Sequence, residues 1–156
     1  MGQKEAEKII AILGESGAEF SKLVHEPVFT SEQAAKTRGT PLSEGVKAMV
    51  LKSNSGKFFL FCLPADKRID LKKAAETAGE RVFLASAEEA LGATGCEIGS
   101  VSPFCGRLSG MPAFFDIGIR KNEEVEFNIG LHTHSVRMKS AELEKMLGAM
   151  EAEFLK

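Results

Sequence analysis

The chain has 156 residues, enough for one domain with a real hydrophobic core. Its 44% hydrophobic and 27% charged residues are those of an ordinary globular protein. The formal net charge of -2 argues against broad, sequence-independent binding to nucleic acid, which needs a strongly basic surface, but leaves open docking on an RNA end through a few local cations.

Met1 to Lys8 is charged from the start and lacks the apolar stretch of a signal peptide, and Gly2 with Ala6 does not match the myristoylation pattern. Residues 4–14 have the period of an amphipathic helix, with Ala6, Ile9, Ile10 and Leu13 on one stripe and Gly14 near its end. Phe20, Leu23 and Val24 predict a short strand running into His25-Glu26-Pro27. Thr30 or Ser31 then caps a helix over Glu32 to Arg38, stopped by Gly39 and Pro41. Val46 to Lys52 and Lys57 to Leu63 are apolar, β-prone runs joined by Ser53-Asn54-Ser55-Gly56, the pattern of a hairpin.

Further along, Asp70 caps a helix through Ala78, Val82 to Leu84 is a brief strand, and Ser86 with Glu88 and Glu89 opens a helix closed near Gly92 or Gly95. Gly95 to Pro112 is the longest irregular stretch, and long ordered loops inside compact domains are often functional. Phe114 to Ile119, Val125 to Asn128 and Ser135 to Met138 predict strands. Ala141 to Leu155 predicts a closing helix with Leu143, Met146, Leu147, Met150 and Phe154 on its inner face. No run approaches the ~18 apolar residues of a membrane-spanning helix. The expectation is a single α+β domain over residues 1–156, a mixed and mostly antiparallel sheet with flanking helices.

Lys47 lies at the start of an apolar strand, where alternation puts it on one face with Met49 and Leu51, and Val46, Ala48 and Val50 on the other. A lysine aligned with core residues costs free energy unless its ammonium reaches a partner or an open pocket. It is either a cation for a substrate phosphate or carboxylate, or a strand-end lysine snorkelling to water. Ile98 to Phe104 holds Gly99, which can adopt backbone angles closed to other residues, and Pro103, which fixes the chain four residues on. Such a loop presents main-chain N–H and C=O groups to a ligand, or is simply a turn-rich connection.

His132 and His134 are spaced as strand metal ligands, but a third ligand is not evident beyond Cys105 and Asp116, taken by elimination. Cys105 with His132 as base raises a cysteine-nucleophile reading, although most free cysteines are small inert hydrophobes. Cys62, Cys96 and Cys105 lack CxxC spacing, so neither a disulfide framework nor a zinc site follows, and a reducing cytoplasm is the simple inference. Asp116, inside an apolar run, reads as a carboxylate hydrogen-bonded within the fold. Asp66-Lys67-Arg68 is a solvated turn or a contact for an RNA phosphate. No tryptophan or tyrosine is present, so base stacking falls to Phe, His or Arg.

Lys47 on its strand, Asp70-Leu71-Lys72-Lys73 opening a helix, Gly99-Ser100-Val101-Ser102-Pro103-Phe104, Asp116 and the Asn128 to Met138 ending together resemble the YbaK/ProXp family, from about Phe20 to Leu147. Its members are free-standing relatives of the editing domain of bacterial prolyl-tRNA synthetases. The resemblance implies a trans-acting aminoacyl-tRNA deacylase that removes a small amino acid (Ala, Cys, Ser or Thr) from tRNA-Pro or a related tRNA. It implies Lys47 near the terminal adenosine phosphate and Gly99 to Pro103 holding the aminoacyl group, Lys47 and Gly99 being catalytic. Ser100, Val101, Ser102, Pro103, Phe104, Asn128, Gly130 and His132 would surround the substrate. The implied partner is the tRNA 3′ end, with an aminoacyl-tRNA synthetase as a possible second; no metal, cofactor, membrane or DNA is implied. Two positions depart from better-known members: Ala48 follows the lysine where asparagine is common, and Cys105 stands where glycine commonly follows Pro-Phe. The alternatives are a non-catalytic module that binds tRNA ends or a synthetase, and a cysteine-dependent hydrolase.

Overall fold

A computed structural model describes residues 1–156. Helix α1 (Gln3–Ser16) buries Ala6, Ile9 and Leu13, the stripe its period predicts. After β1 (Phe20–Val24), the Thr30 hydroxyl accepts from the Gln33 N–H and starts α2 (Ser31–Arg38). A single 3-10 turn at Leu42–Glu44 leads into β2 (Val46–Ser53), which forms the expected hairpin with β3 (Phe58–Pro64). Asp70 accepts from the N–H groups of Lys72 and Lys73 to cap α3 (Leu71–Ala78). Strand β4 (Val82–Leu84) precedes α4 (Ala87–Thr94), which opens with a reciprocal Ser86–Glu89 capping box. Then come α5 (Cys105–Ser109), β5 (Ala113–Asp116), β6 (Glu124–Asn128), β7 (His134–Lys139), α6 (Ser140–Leu147) and β8 (Met150–Ala152).

The strands form two sheets, ordered β1-β7-β6 and β4-β2-β3-β5-β8. Four of the pairings are antiparallel; β3–β5 and β5–β8 are parallel. The fold is therefore α+β with mixed sheets and flanking helices, as the sequence led us to expect, but with two sheets in place of one. They meet at a lone parallel bridge between Gly45 and Glu126.

Strand β2 shows why both faces of the larger sheet are buried. Val46 and Val50 join a core with α1, α6 and the smaller sheet, whereas Leu51 joins a second core with Ala74 of α3 and Phe154. Met49 packs on that second core, so the predicted alternation holds along the strand. No helix is long and apolar enough to cross a membrane.

Three expectations need correction. The closing helix stops at Leu147, because Gly148 turns left-handed (φ 64°), and the chain returns as β8 beside β5. Met150 is consequently exposed, while Phe154 is buried in the second core rather than on a helix face. The expected Phe114–Ile119 strand ends at Asp116, whose Oδ1 accepts from Gly118 N–H at 2.7 Å and starts a 3-10 turn. Its Oδ2 accepts from Phe154 N–H at 2.9 Å, so Asp116 ties the C-terminal segment to the fold. The Gly95–Pro112 stretch is not wholly irregular, since it contains α5.

Candidate functional site

The start of β2, helix α2 with the segment after it, and the Ile98–Val101 loop line a cavity of about 260 Å³. Lys47, Gly99, Val101 and Asn128, all nominated from the sequence, line it, together with Phe29, Thr30, Arg38, Thr40 and Met49. A second, apolar cavity of about 200 Å³ shares Ala48, Met49, Ile98, Gly99 and Val101 and continues to Leu84 and Ala90.

Lys47 takes part in no ion pair. Partial burial lowers its ammonium below the ordinary lysine value, Glu32 and Asp66 oppose that shift, and Arg68 adds to it. It is thus an uncommitted cation on the wall of a small cavity, which suits an anionic group.

Gly99 lines the same cavity with φ +91°, a backbone conformation that glycine adopts freely. A Cβ here would stand 2.6 Å from the Phe29 carbonyl oxygen, so the loop and the segment before α2 touch backbone to backbone. The Asn128 amide donates to the Gly99 carbonyl at 2.9 Å and fixes how the turn is presented. The N–H groups of Gly99 and Val101 have no backbone partner within the chain.

Arg38 was not foreseen. Its Nη2 donates to Asn128 Oδ1 at 3.1 Å and its Nε to Ser135 Oγ at 2.9 Å. Ser135 in turn lies 2.8 Å from His25 Nε2, and His25 Nδ1 lies 2.8 Å from the Glu26 carbonyl. One set of protons satisfies the whole chain: His25 Nδ1–H to Glu26, Ser135 O–H to His25, Arg38 to Ser135 and Asn128, Asn128 to Gly99. Burial lowers the Arg38 guanidinium to about 10, Glu126 working the other way, so it stays charged at neutral pH. No local pattern in the sequence marks it, since Arg38 ends a short polar helix in which Ala34 alone is buried.

The other nominated residues lie outside the lining. Ser100 is buried and its hydroxyl donates to the Glu97 carbonyl at 2.8 Å. Ser102 is buried and accepts from Phe104 N–H at 3.3 Å. Pro103 is buried, and Phe104 packs against Phe127 with ring centroids 5.9 Å apart. Gly130 (φ +104°) approaches Gly2 and Cys96. His132 stacks on Phe29 at 4.5 Å, with Nδ1 2.9 Å from the Val28 carbonyl, and so backs a wall residue. These residues build the support of the loop rather than its surface.

Cys105 is buried with its sulfur 3.9 Å from that of Cys96. The hydrogen bond with Cys96, then burial, push its thiol strongly upward, so it is a poor nucleophile. No three His, Cys, Asp or Glu side chains converge as a metal ion requires.

Comparison with known proteins places the chain. Residues 25–146 match the aminoacyl-tRNA editing domain family. The chain belongs to that family. It is 34% identical over 149 residues to the multifunctional Ser/Thr-tRNA deacylase ProXp-y of Escherichia coli K12, covering 90% of this chain and 87% of the relative. It is 31% identical over 114 residues to the uncharacterized protein YwhH of Bacillus subtilis 168, covering 73% and 72%. A solved structure described as a candidate trans-editing enzyme for prolyl tRNA synthetase superimposes with a TM-score of 0.80, at 26% identity and 97% coverage of both chains.

Proposed function

We propose that this protein is a trans-acting aminoacyl-tRNA deacylase that hydrolyses the ester of a tRNA mischarged with a small amino acid, serine or threonine first. The observation that carries the reading is that Lys47 and the Gly99 turn line one and the same cavity. Membership of the editing family and the likeness to a Ser/Thr-tRNA deacylase support it. A tRNA substrate makes the cytoplasm its place of action, and a synthetase that delivers the mischarged tRNA is a natural second partner.

In this mechanism Lys47 holds the phosphate next to the terminal adenosine, which brings the ester to the Gly99 turn. An aminoacyl ester is already activated, so a positioned water and stabilisation of the developing oxyanion suffice. Water adds to the carbonyl carbon, and the Gly99 and Val101 N–H groups stabilise the negative oxygen. The C–O bond to the ribose then breaks, and the proton released by the water passes to the departing 3′ oxygen through the neighbouring ribose hydroxyl. No cofactor enters this scheme. Arg38 and Asn128 hold the turn in place.

Discrimination among small side chains by size alone is worth only about 1–3 kcal/mol per methylene, so the Thr30 hydroxyl on the wall suits a hydroxylated side chain. The test is a deacylation panel of Ala-, Cys-, Ser- and Thr-charged tRNAs. Hydrolysis of Ser- and Thr-tRNA well above the uncatalysed rate is expected; a panel left intact would remove the catalytic reading.

A further inference from the structure

The chain has eleven phenylalanines and neither tryptophan nor tyrosine, and only Phe29 and Phe83 among the eleven are exposed. Phe83 lies on β4, outside the cavity lining. Phe29 is 57% exposed and belongs to that lining, with Lys47 and Gly99. Ile98, 53% exposed, lines the same cavity one residue before the Gly99 turn. The two segments touch, since a Cβ on Gly99 would stand 2.6 Å from the Phe29 carbonyl oxygen. Single exposed apolar residues are ordinary, but two large ones on adjoining segments of one cavity mark a contact surface.

The Phe29 ring is mounted rather than loose. Val28 N–H donates to the His132 carbonyl at 2.9 Å, and His132 Nδ1 lies 2.9 Å from the Val28 carbonyl. Phe29 N–H donates to the Gln33 side-chain oxygen at 2.9 Å. The His132 ring stacks against the Phe29 ring, centroids 4.5 Å apart and planes tilted by 38°. An aromatic surface held in place from one side loses little freedom when a flat ligand lands on the other. Every nucleobase offers such a flat face, and unpaired bases of RNA are commonly stacked on phenylalanine or histidine. The reacting ester sits on the ribose of the last nucleotide, so the base on that same ribose is the one within reach.

We infer that Phe29 is the stacking platform for the terminal adenine of the tRNA 3′ end, with Ile98 flanking the base, while Lys47 holds the phosphate and the Gly99 turn meets the ester. This rests on the deacylase reading above, which supplies the ligand. His132 touches no substrate in this arrangement and acts through Phe29, backing its ring. The stack is uncharged, so it complements Lys47 without competing for the phosphate.

The test uses uncharged RNA, so it does not depend on hydrolysis. An acceptor-stem hairpin ending in CCA is compared with the same hairpin carrying an abasic residue in place of the last adenine. Fluorescence anisotropy gives the affinity of both for the wild type, Phe29→Leu and Phe29→Tyr. Phe29→Leu keeps an apolar side chain at an exposed position and removes only the ring. Loss of the adenine should weaken binding roughly tenfold in the wild type and in Phe29→Tyr, and by less than about twofold in Phe29→Leu. A wild type that binds both hairpins equally, or neither, overturns the inference. So does an equal loss in Phe29→Leu, which would place the base elsewhere on the protein. The panel of charged tRNAs decides the deacylase reading separately: an intact panel beside a ring-dependent adenine effect would remove the chemistry and keep the base site.

Discussion

Replacing Gly99 with alanine isolates the backbone part of the site. The residue sits at φ +91°, and forcing an L-residue into left-handed space costs about 1–2 kcal/mol. The new methyl would stand 2.6 Å from the Phe29 carbonyl, with backbone on both sides of the contact, so one segment must move. That movement loosens the 2.9 Å Asn128–Gly99 hydrogen bond, worth about 0.5–1.5 kcal/mol. Together the variant should be about 1.5–3.5 kcal/mol less stable, lowering Tm by roughly 3–14 °C for a chain of this size. Displacing an oxyanion donor costs on the order of 100-fold in kcat, so activity should suffer more than stability. Calorimetry and single-turnover deacylation measure the two quantities. An alanine variant with wild-type Tm and wild-type kcat would refute both the strain and the role of the turn.

Lys47→Ala should lower kcat/KM roughly 10–100-fold, the loss of one charge-assisted contact of about 1.5–3 kcal/mol, without lowering Tm, because the ammonium has no partner in the fold. Cys105→Ser should keep its turnover while losing about 1–3 kcal/mol of stability by burying a hydroxyl, which initial rates and denaturant unfolding read separately. Glu126 binds its proton more tightly folded than unfolded, since its value rises from 4.5 to about 7. Its contribution to stability is therefore full below about pH 4.5 and is lost as the pH climbs through about 7, a change of about 3 kcal/mol. The difference in unfolding free energy between wild type and Glu126→Gln should follow that curve; a difference flat across the range would count against the raised value.

The elements that local chemistry specifies were legible in the sequence. The Thr30, Asp70 and Ser86 caps start helices where their hydroxyl and carboxylate acceptors predict. The β2–β3 hairpin follows from two apolar runs and a turn-forming linker. What failed depends on partners far away in sequence. Met150 and Phe154 fit a helical stripe continuing from α6, yet β5 offers an open edge that draws residues 150–152 into parallel pairing. The division into two sheets likewise rests on long-range pairing that no window of residues reveals.

At the site, Lys47 and Gly99 stood out because each conflicts with its local context, a charge on a buried strand and a glycine in an ordered loop. Arg38 and Glu126 carry no such local mark. Arg38 sits on a short polar helix, and Glu126 alternates with Val125 and Phe127 in a strand where a surface carboxylate would look the same. Only the closing of β6 onto Gly45 buries it. Ser100, Ser102, Pro103 and Phe104 were named for their adjacency to Gly99 in sequence, and packing turns their side chains inward.

The most direct measurement is single-turnover hydrolysis of Ser-charged tRNA by the wild type and by Lys47→Ala, with both proteins first shown to be folded. The account predicts a wild-type rate far above the uncatalysed one and a Lys47→Ala rate lower by roughly tenfold or more. Equal rates for the two proteins would contradict it, because the cavity between Lys47 and the Gly99 turn could then not be where the ester is cleaved.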